Sequence, residues 1–166
     1  MTSAHVRPLA LADCESVLEA FASDPLMSRQ GDVTDIASAE RYVQTLMDPE
    51  GPHRAWAIAR PDDTMAGLVN VSVDKANRNG WFSYWLHARD RGQGWTSQAA
   101  LAVANWALQD EGLHRRELGH RVNNPASQRV AEYAGFVLEG REREKFLVDG
   151  ERIDVLTWSR LITDPT

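Results

Sequence analysis

The apolar positions of this chain change period twice, and the changes mark out its elements. In the first fifty residues they recur at helical spacing. A short strand over residues 6–9 leads into a helix that Asp13 caps and that carries Val17, Leu18 and Phe21, and Asp24-Pro25 stops it. A second helix is expected over residues 35–47 through Ile36, Tyr42, Val43, Leu46 and Met47, ended by Asp48-Pro49-Glu50-Gly51-Pro52. The period then falls from about 3.6 to about 2. Residues 54–60 alternate around Trp56 and Ile58, residues 65–73 form a strand through Leu68, Val69, Val71 and Val73, and residues 81–87 form an aromatic strand after a turn. Three such strands with short connections predict an antiparallel meander.

Helical spacing returns over residues 95–109, with Leu101, Ala104 and Leu108 on one stripe. A strand over 116–122 and a helix over 126–134 follow. Asp149-Gly150 is a two-residue hairpin turn between 146–148 and 153–158. The sum is an α+β chain: a mixed central sheet, mostly antiparallel, flanked by helices on both faces.

With 166 residues, one domain over 1–166 is expected, at ~150 residues per domain. The 43% hydrophobic and 25% charged content is that of a globular protein. A net charge of −6 argues against a dedicated nucleic-acid binder, which would show a basic stripe. Cys14 is the only cysteine, so no internal disulfide and no cysteine-rich zinc site can form, and no metal is expected. No signal pattern opens the chain, and its longest uncharged stretch, residues 92–109, is too polar to span a membrane. A cytoplasmic, soluble protein is expected.

The most informative segment is Trp85-Leu86-His87-Ala88-Arg89-Asp90-Arg91-Gly92-Gln93-Gly94-Trp95-Thr96-Ser97. A glycine-rich turn between a strand and a helix start lets backbone N–H groups converge where the helix dipole is positive, a setting for phosphate or pyrophosphate. Gly92 and Gly94 remove side chains where a ligand must approach, and Arg89 and Arg91 add cations. Ser97 replaces the third glycine of a dinucleotide fingerprint, and no Gly-Lys-Ser/Thr opens the helix as in a P-loop. The plain alternative is a surface turn with incidental arginines.

Thirty residues on, Asn124-Pro125-Ala126-Ser127 precedes Val130-Ala131-Glu132-Tyr133-Ala134-Gly135-Phe136. Locally this is a helix with Asn124 as cap, Pro125 as first residue and Gly135 as stop. The ordered set Tyr84-Trp85-Leu86, Arg91-Gly92-Gln93-Gly94, Asn124-Pro125-Ala126-Ser127 and Gly135-Phe136 resembles the GNAT superfamily of acetyl-CoA-dependent N-acetyltransferases. Its RimJ/RimL-type branch, which acetylates protein N-terminal amines, looks most similar, over roughly residues 67–161.

The resemblance implies acetyl-CoA as cosubstrate, with its pyrophosphate cradled by amides of Gly92, Gln93, Gly94, Trp95, Thr96 and Ser97 and with Arg91 opening the signature. Thr96 stands where glycine or alanine is usual. The resemblance also implies a bulge in the preceding strand, with Leu86, His87 and Ala88 offering backbone groups to the thioester and pantetheine. The His87 amide is the candidate hydrogen bond to the thioester carbonyl. Asn124 would bind pantetheine or position its loop. The tyrosine that many relatives place four residues before Gly-Phe is Ala131 here, and Ser127 is the candidate donor to the departing thiolate. His120 and His87 are the candidate bases, with Glu117 on the opposite strand face from His120. Tyr133 is read as a half-exposed helix residue; Trp56, Trp106 and Trp158 as core; Trp81 and Tyr84 as lining an acceptor pocket; and residues 141–145 as a solvated strand end.

The acceptor is a primary amine, on a protein N-terminus or a small molecule. An α-amine, pKa ~8, is more readily neutral than a side-chain amine at ~10.4. A homodimer through the sheet or the terminal hairpin fits such a protein. The reading from a different class is a non-catalytic acyl-CoA sensor or interaction module with the same fold.

Overall fold

The computed structural model describes residues 3–165. Seven strands, β1 (His5–Pro8), β2 (His53–Ala59), β3 (Met65–Asp74), β4 (Asn79–Leu86), β5 (Arg115–Arg121), β6 (Val137–Val148) and β7 (Glu151–Leu161), form one sheet in the order β1-β2-β3-β4-β5-β7-β6. Among the described residues only β4 and β5 are parallel neighbours; every other pair is antiparallel. The β2–β3–β4 meander is the one expected from the alternation.

Alternation also decides what each face buries. Ala57, Leu68 and Trp85 pack with Val17, Phe21, Val43 and Leu46 of α1 (Cys14–Ala22) and α2 (Ile36–Met47). Ile58, Val69, Val71 and Phe82 point the other way, into a cluster with Val103, Ala104, Ala107 and Val130 of α3 (Trp95–Gln109) and α4 (Pro125–Tyr133). The mixed sheet with helices on both faces is thus as the sequence suggests.

Several local expectations are corrected. Asp13 precedes α1 but makes no side-chain cap; its carboxylate takes a bidentate pair from Arg7 (2.7 and 2.9 Å) and the Ala10 N–H, holding β1 to the first helix. The stripe of α3 facing the sheet is Ala99, Ala100, Val103, Ala104 and Ala107, with Leu101 and Leu108 only half-buried. Small side chains let α3 lie close to the strands, which a search for large apolar residues overlooks. Trp158 is buried as expected, whereas Trp56 and Trp106 are half-buried and meet edge to face at 4.5 Å. The terminal hairpin is longer than predicted, and residues 141–145 lie within β6 at a break in its ladder, not at its end. Its turn has Asp149 at φ 50° and Gly150 at φ 83°, the two positive values of a type I′ turn.

Glu139 sits at a register shift in β6 and accepts from Arg115 of β5 (2.8 Å) and from the Ser159 hydroxyl of β7 (2.7 Å), linking three strands. These partners, Arg115 first, hold its carboxyl at about 2, below the ordinary 4.5. A depressed carboxylate stabilises the fold fully above its unfolded value and loses that contribution as pH falls through the folded one. The Glu139 side chain is 42% exposed, so the contribution is that of a surface pair, under about 1 kcal/mol. Glu139→Gln is expected to lower Tm slightly at neutral pH, and thermal melts should show wild type and variant converging between pH 4.5 and 2.

Candidate active site

The parallel pair β4–β5 is short. It joins Asn79, Gly80 and Trp81 to Arg115, Arg116 and Glu117 and then stops, while β4 continues along β3 to Leu86 and β5 along β7 to Arg121. Past Trp81 the two central strands part and leave a gap in the sheet. The β3–β4 register is unbroken, so the expected bulge in β4 is absent and the gap comes from the divergence of β4 and β5.

Alternation in the β3–β4 ladder fixes which amides face that gap. The His87 N–H donates to Ala66 O (2.8 Å), so the His87 amide is engaged by the sheet and is not free for a carbonyl ligand. By the same alternation, the amides of Phe82, Tyr84 and Leu86 point toward β5. The Leu86 carbonyl already accepts from Arg91 Nε (3.2 Å).

Beyond β4 the chain makes a short 3-10 turn, Ala88–Asp90, which His87 caps by accepting the Arg89 N–H on Nδ1 (3.2 Å). Desolvation first, and Arg89 second, push the His87 imidazole below its ordinary value. The Ala88 N–H donates to Ser23 Oγ (3.3 Å). Buried Asp90 takes a bidentate pair from Arg60 (2.6 and 3.2 Å), and its carbonyl accepts from Gln93 Nε2 (3.3 Å). Arg91 reaches back to Asp24 (2.6 Å), so its guanidinium braces the turn. The Leu26 N–H and Arg91 together hold the Asp24 carboxyl below the usual carboxylate range.

Gly92 and Gly94 then adopt φ 82° and 78°, and a Cβ on either would meet nothing within 4 Å. Gly94 caps α3 without a side chain, and the first helical bond runs from the Gln98 N–H to Gly94 O (3.1 Å). The amides of Trp95, Thr96 and Ser97 therefore have no partner within the helix. The Trp95 ring is buried in the core, fixing the helix end, while Thr96 and Ser97 are half-exposed. Free amides, a positive dipole and a turn open to solvent fit a diphosphate.

Across the gap, Asn124 caps α4 with Oδ1 accepting the Ser127 N–H (3.2 Å) and Nδ2 donating to Ser127 Oγ (3.1 Å). Both polar atoms of the Asn124 side chain are occupied by Ser127. Because Ser127 Oγ accepts, its own proton is free to donate. The Tyr84 hydroxyl comes from β4 and donates to Ser127 O at 3.5 Å. Tyr84 thus lies on the α3–α4 side, not with Trp81 as expected; strand alternation alone places positions 81 and 84 on opposite faces.

His120 is buried and has no lone pair to spare. Its Nε2 accepts from Trp158 Nε1 (3.0 Å) and its Nδ1 donates to Arg121 O (2.9 Å). With both ring nitrogens engaged inside the protein, the geometry is that of a packing histidine rather than a base. Glu117 lies on the opposite face, as expected, and is held by Arg115 Nε (2.6 Å). Tyr133 is 55% exposed, and Ala131 is buried.

On the α1–α2 face a cavity of about 490 Å³ opens between α2 and strands β2–β4. Its floor has Asn70, Leu68 and Trp85; Ser83 sits beside the gap, and Asp32 and Arg41 stand at the rim. Trp85 Nε1 donates to the Tyr42 hydroxyl (3.0 Å), which burial pushes up to about 12. Trp81 is not among its lining residues. Sequence reasoning missed Asn70, Ser83 and Tyr42, because polar residues on a sheet face carry no local signal until α2 is laid across them.

Diverging central strands, a glycine turn at the start of α3 and a capped serine at the start of α4 are the features that set out the candidate site. Residues 4–137 match the acetyltransferase (GNAT) domain, and the chain belongs to that family. The ribosomal-protein-serine acetyltransferase of Escherichia coli (strain K12) is 31% identical over 102 residues, which make up 61% of this chain and 57% of that protein. The match thus spans little more than half of that relative's length. Two solved structures share the fold. One is RimL, a ribosomal alpha-N-protein acetyltransferase in complex with coenzyme A (TM-score 0.85, 23% identity, covering 98% of this chain and 96% of that one). The other is the spermidine N-acetyltransferase from Vibrio cholerae in complex with coenzyme A and spermine (TM-score 0.83, 20% identity, covering 97% and 96%).

Proposed function

We propose that this chain is an acetyl-CoA-dependent N-acetyltransferase that moves an acetyl group to a primary amine by direct transfer within a ternary complex. The observation that carries the reading is the uncapped cradle over residues 92–97, placed at the end of the β4–β5 gap and opposite Ser127. Amides of Gly92, Gln93, Gly94, Trp95, Thr96 and Ser97 hold the diphosphate. Backbone groups of Phe82, Tyr84 and Leu86 line the path of the pantetheine arm. The Tyr84 or Leu86 amide takes the carbonyl role assigned to His87 from sequence. Asn124 acts through Ser127 by aiming its hydroxyl.

The donor supplies a thioester carbonyl carbon for attack and a thiolate to leave. The amine approaches from the α1–α2 face through the cavity beside Ser83. Both ring nitrogens of His120 and Nδ1 of His87 are engaged, and the amine arrives neutral or loses its proton to water; an α-amine at ~8 meets that demand more readily than one at ~10.4. The one carboxylate and one guanidinium at the cavity rim give no concentrated negative charge for a polycation, which supports a peptide or amino-acid-like amine over a polyamine. None of the described helices is long and apolar enough to cross a membrane, and the single thiol is buried, in keeping with a cytoplasmic setting. The outer strand β6 leaves Val137, Leu138 and Leu147 exposed, which supports self-association through the hairpin.

Calorimetry with acetyl-CoA, followed by thiol release across a panel of peptides, amino-acid amides and polyamines, tests the reading. Micromolar binding and turnover of α-amines are expected. No heat removes the reading; heat without thiol release for any amine makes the chain an acyl-CoA sensor.

A further inference from the structure

We propose that Tyr84 is a second hydrogen-bond donor to the departing thiolate, filling from the sheet the place left by the missing helix tyrosine. The proposal rests on the acetyltransferase reading and adds a catalytic residue to it. Three observations converge on it. Ala131 and Ser127 are four residues apart on α4 and share a helix face. A helical side chain leans toward the N-terminus and covers the preceding turn, so a tyrosine at 131 would lay its hydroxyl near residues 127–128. The Tyr84 hydroxyl already occupies that neighbourhood, arriving from β4 and touching Ser127 O. Its ring packs against the cluster that contains Ala131 and Val130, so the space a helix tyrosine would claim is filled by one from the strand.

The Tyr84 hydroxyl is loosely committed. Its one bond, to Ser127 O, is at the long limit of 3.5 Å, and a turn about the C–O axis frees the proton for another acceptor. With Ser127 Oγ accepting from Asn124, the hydroxyl protons of both Tyr84 and Ser127 are available at the first turn of α4.

The chemistry balances without a proton leaving either residue. The amine nitrogen forms a bond to the thioester carbon and the C–S bond breaks. Sulfur departs with the bonding pair, the amine proton goes to water, and the thiolate is later protonated by water. Burial pushes Tyr84 up to about 12, well above a thiol near 8.5, so its O–H stays intact and donates to the anion. Donation to the charged form lowers the pKa of the group that receives it.

The test needs no acceptor amine. Coenzyme A bound to the enzyme is titrated through the ultraviolet absorbance of its thiolate, from mildly acidic to mildly alkaline pH, for wild type, Tyr84→Phe and Ser127→Ala. In wild type the bound thiol is expected to titrate below the free thiol. Tyr84→Phe removes one oxygen and no packing, and should raise the bound-thiol pKa by about one unit, a tenfold lower thiolate fraction below both pKa values, while calorimetry at a pH where the bound thiol is fully protonated shows unchanged coenzyme affinity. Ser127→Ala should do the same independently, so the double variant titrates like free coenzyme. Identical titration in wild type and Tyr84→Phe overturns the proposal, since a packing role would leave the thiol unmoved. Absence of coenzyme binding to wild type removes the acetyltransferase reading, and this proposal with it; that failure appears in the calorimeter rather than in the titration.

Discussion

Gly94→Val should weaken acetyl-CoA binding by about a hundredfold or more while leaving the protein folded. Gly94 holds φ 78°, where a β-branched residue is strained by roughly 1–2 kcal/mol. Relaxing that strain turns the Trp95, Thr96 and Ser97 amides away from the diphosphate, and charge-assisted bonds of this kind are worth about 1.5–3 kcal/mol. Losing two such bonds, about 3–6 kcal/mol, exceeds the roughly 2.8 kcal/mol of a hundredfold change. Gly112 supplies the control: it has φ 66°, equally open surroundings and no place in the cradle. Gly112→Val carries the same strain and should lose stability alone. Calorimetry on both variants decides; equal affinities for the coenzyme would show that the turn is ordinary surface.

Asp90→Ala should produce the largest loss of stability near the site. Arg60 and Asp90 are 14% and 9% exposed and joined at 2.6 Å, tying the end of β2 to the turn that feeds α3. Removing one partner of a buried pair leaves an uncompensated charge, at about 3–5 kcal/mol, although Arg60 keeps its bonds to Thr64 and the Met65 carbonyl. At the low end this is roughly 6–12 °C in Tm for a chain of this length. Because the same pair holds the start of the cradle, coenzyme affinity should fall as well. Arg60→Met combined with Asp90→Leu should be milder than Asp90→Ala, since no charge is then stranded. An unchanged melting temperature for Asp90→Ala would show that the pair is dispensable.

The parts legible in the sequence were those set by neighbours along the chain. Helix α3 begins at Trp95 and ends at Gln109, as its pattern predicts, because a glycine turn precedes it and its interior lacks breakers. Asn124 and Pro125 mark the start of α4 by capping chemistry that needs only local geometry. Length and hydrogen-bond commitment were less legible. Most of β6 is charged and exposed, so alternation could not announce it; its strand state depends on pairing with β7. Asp13 resembled a helix cap until Arg7 took its carboxylate.

The catalytic assignments shifted for the same reason. His120 lies on β5 as expected and His87 just past the end of β4, yet one backbone amide and three ring nitrogens were already engaged, by Ala66, Arg89, Trp158 and Arg121. Tyr84 was visible as a residue but not as a neighbour of Ser127, 43 positions away.

By itself the sequence determined the order of elements, the glycine turn at the mouth of α3 and the capped serine on α4, since each depends on torsional preference and hydrogen bonds within a few residues. The divergence of β4 from β5, the face on which Tyr84 emerges and the lone pairs left free were decided only by tertiary structure. Those properties come from contacts between distant segments, and a hydrogen-bonding group's chemistry is known only when its partner is.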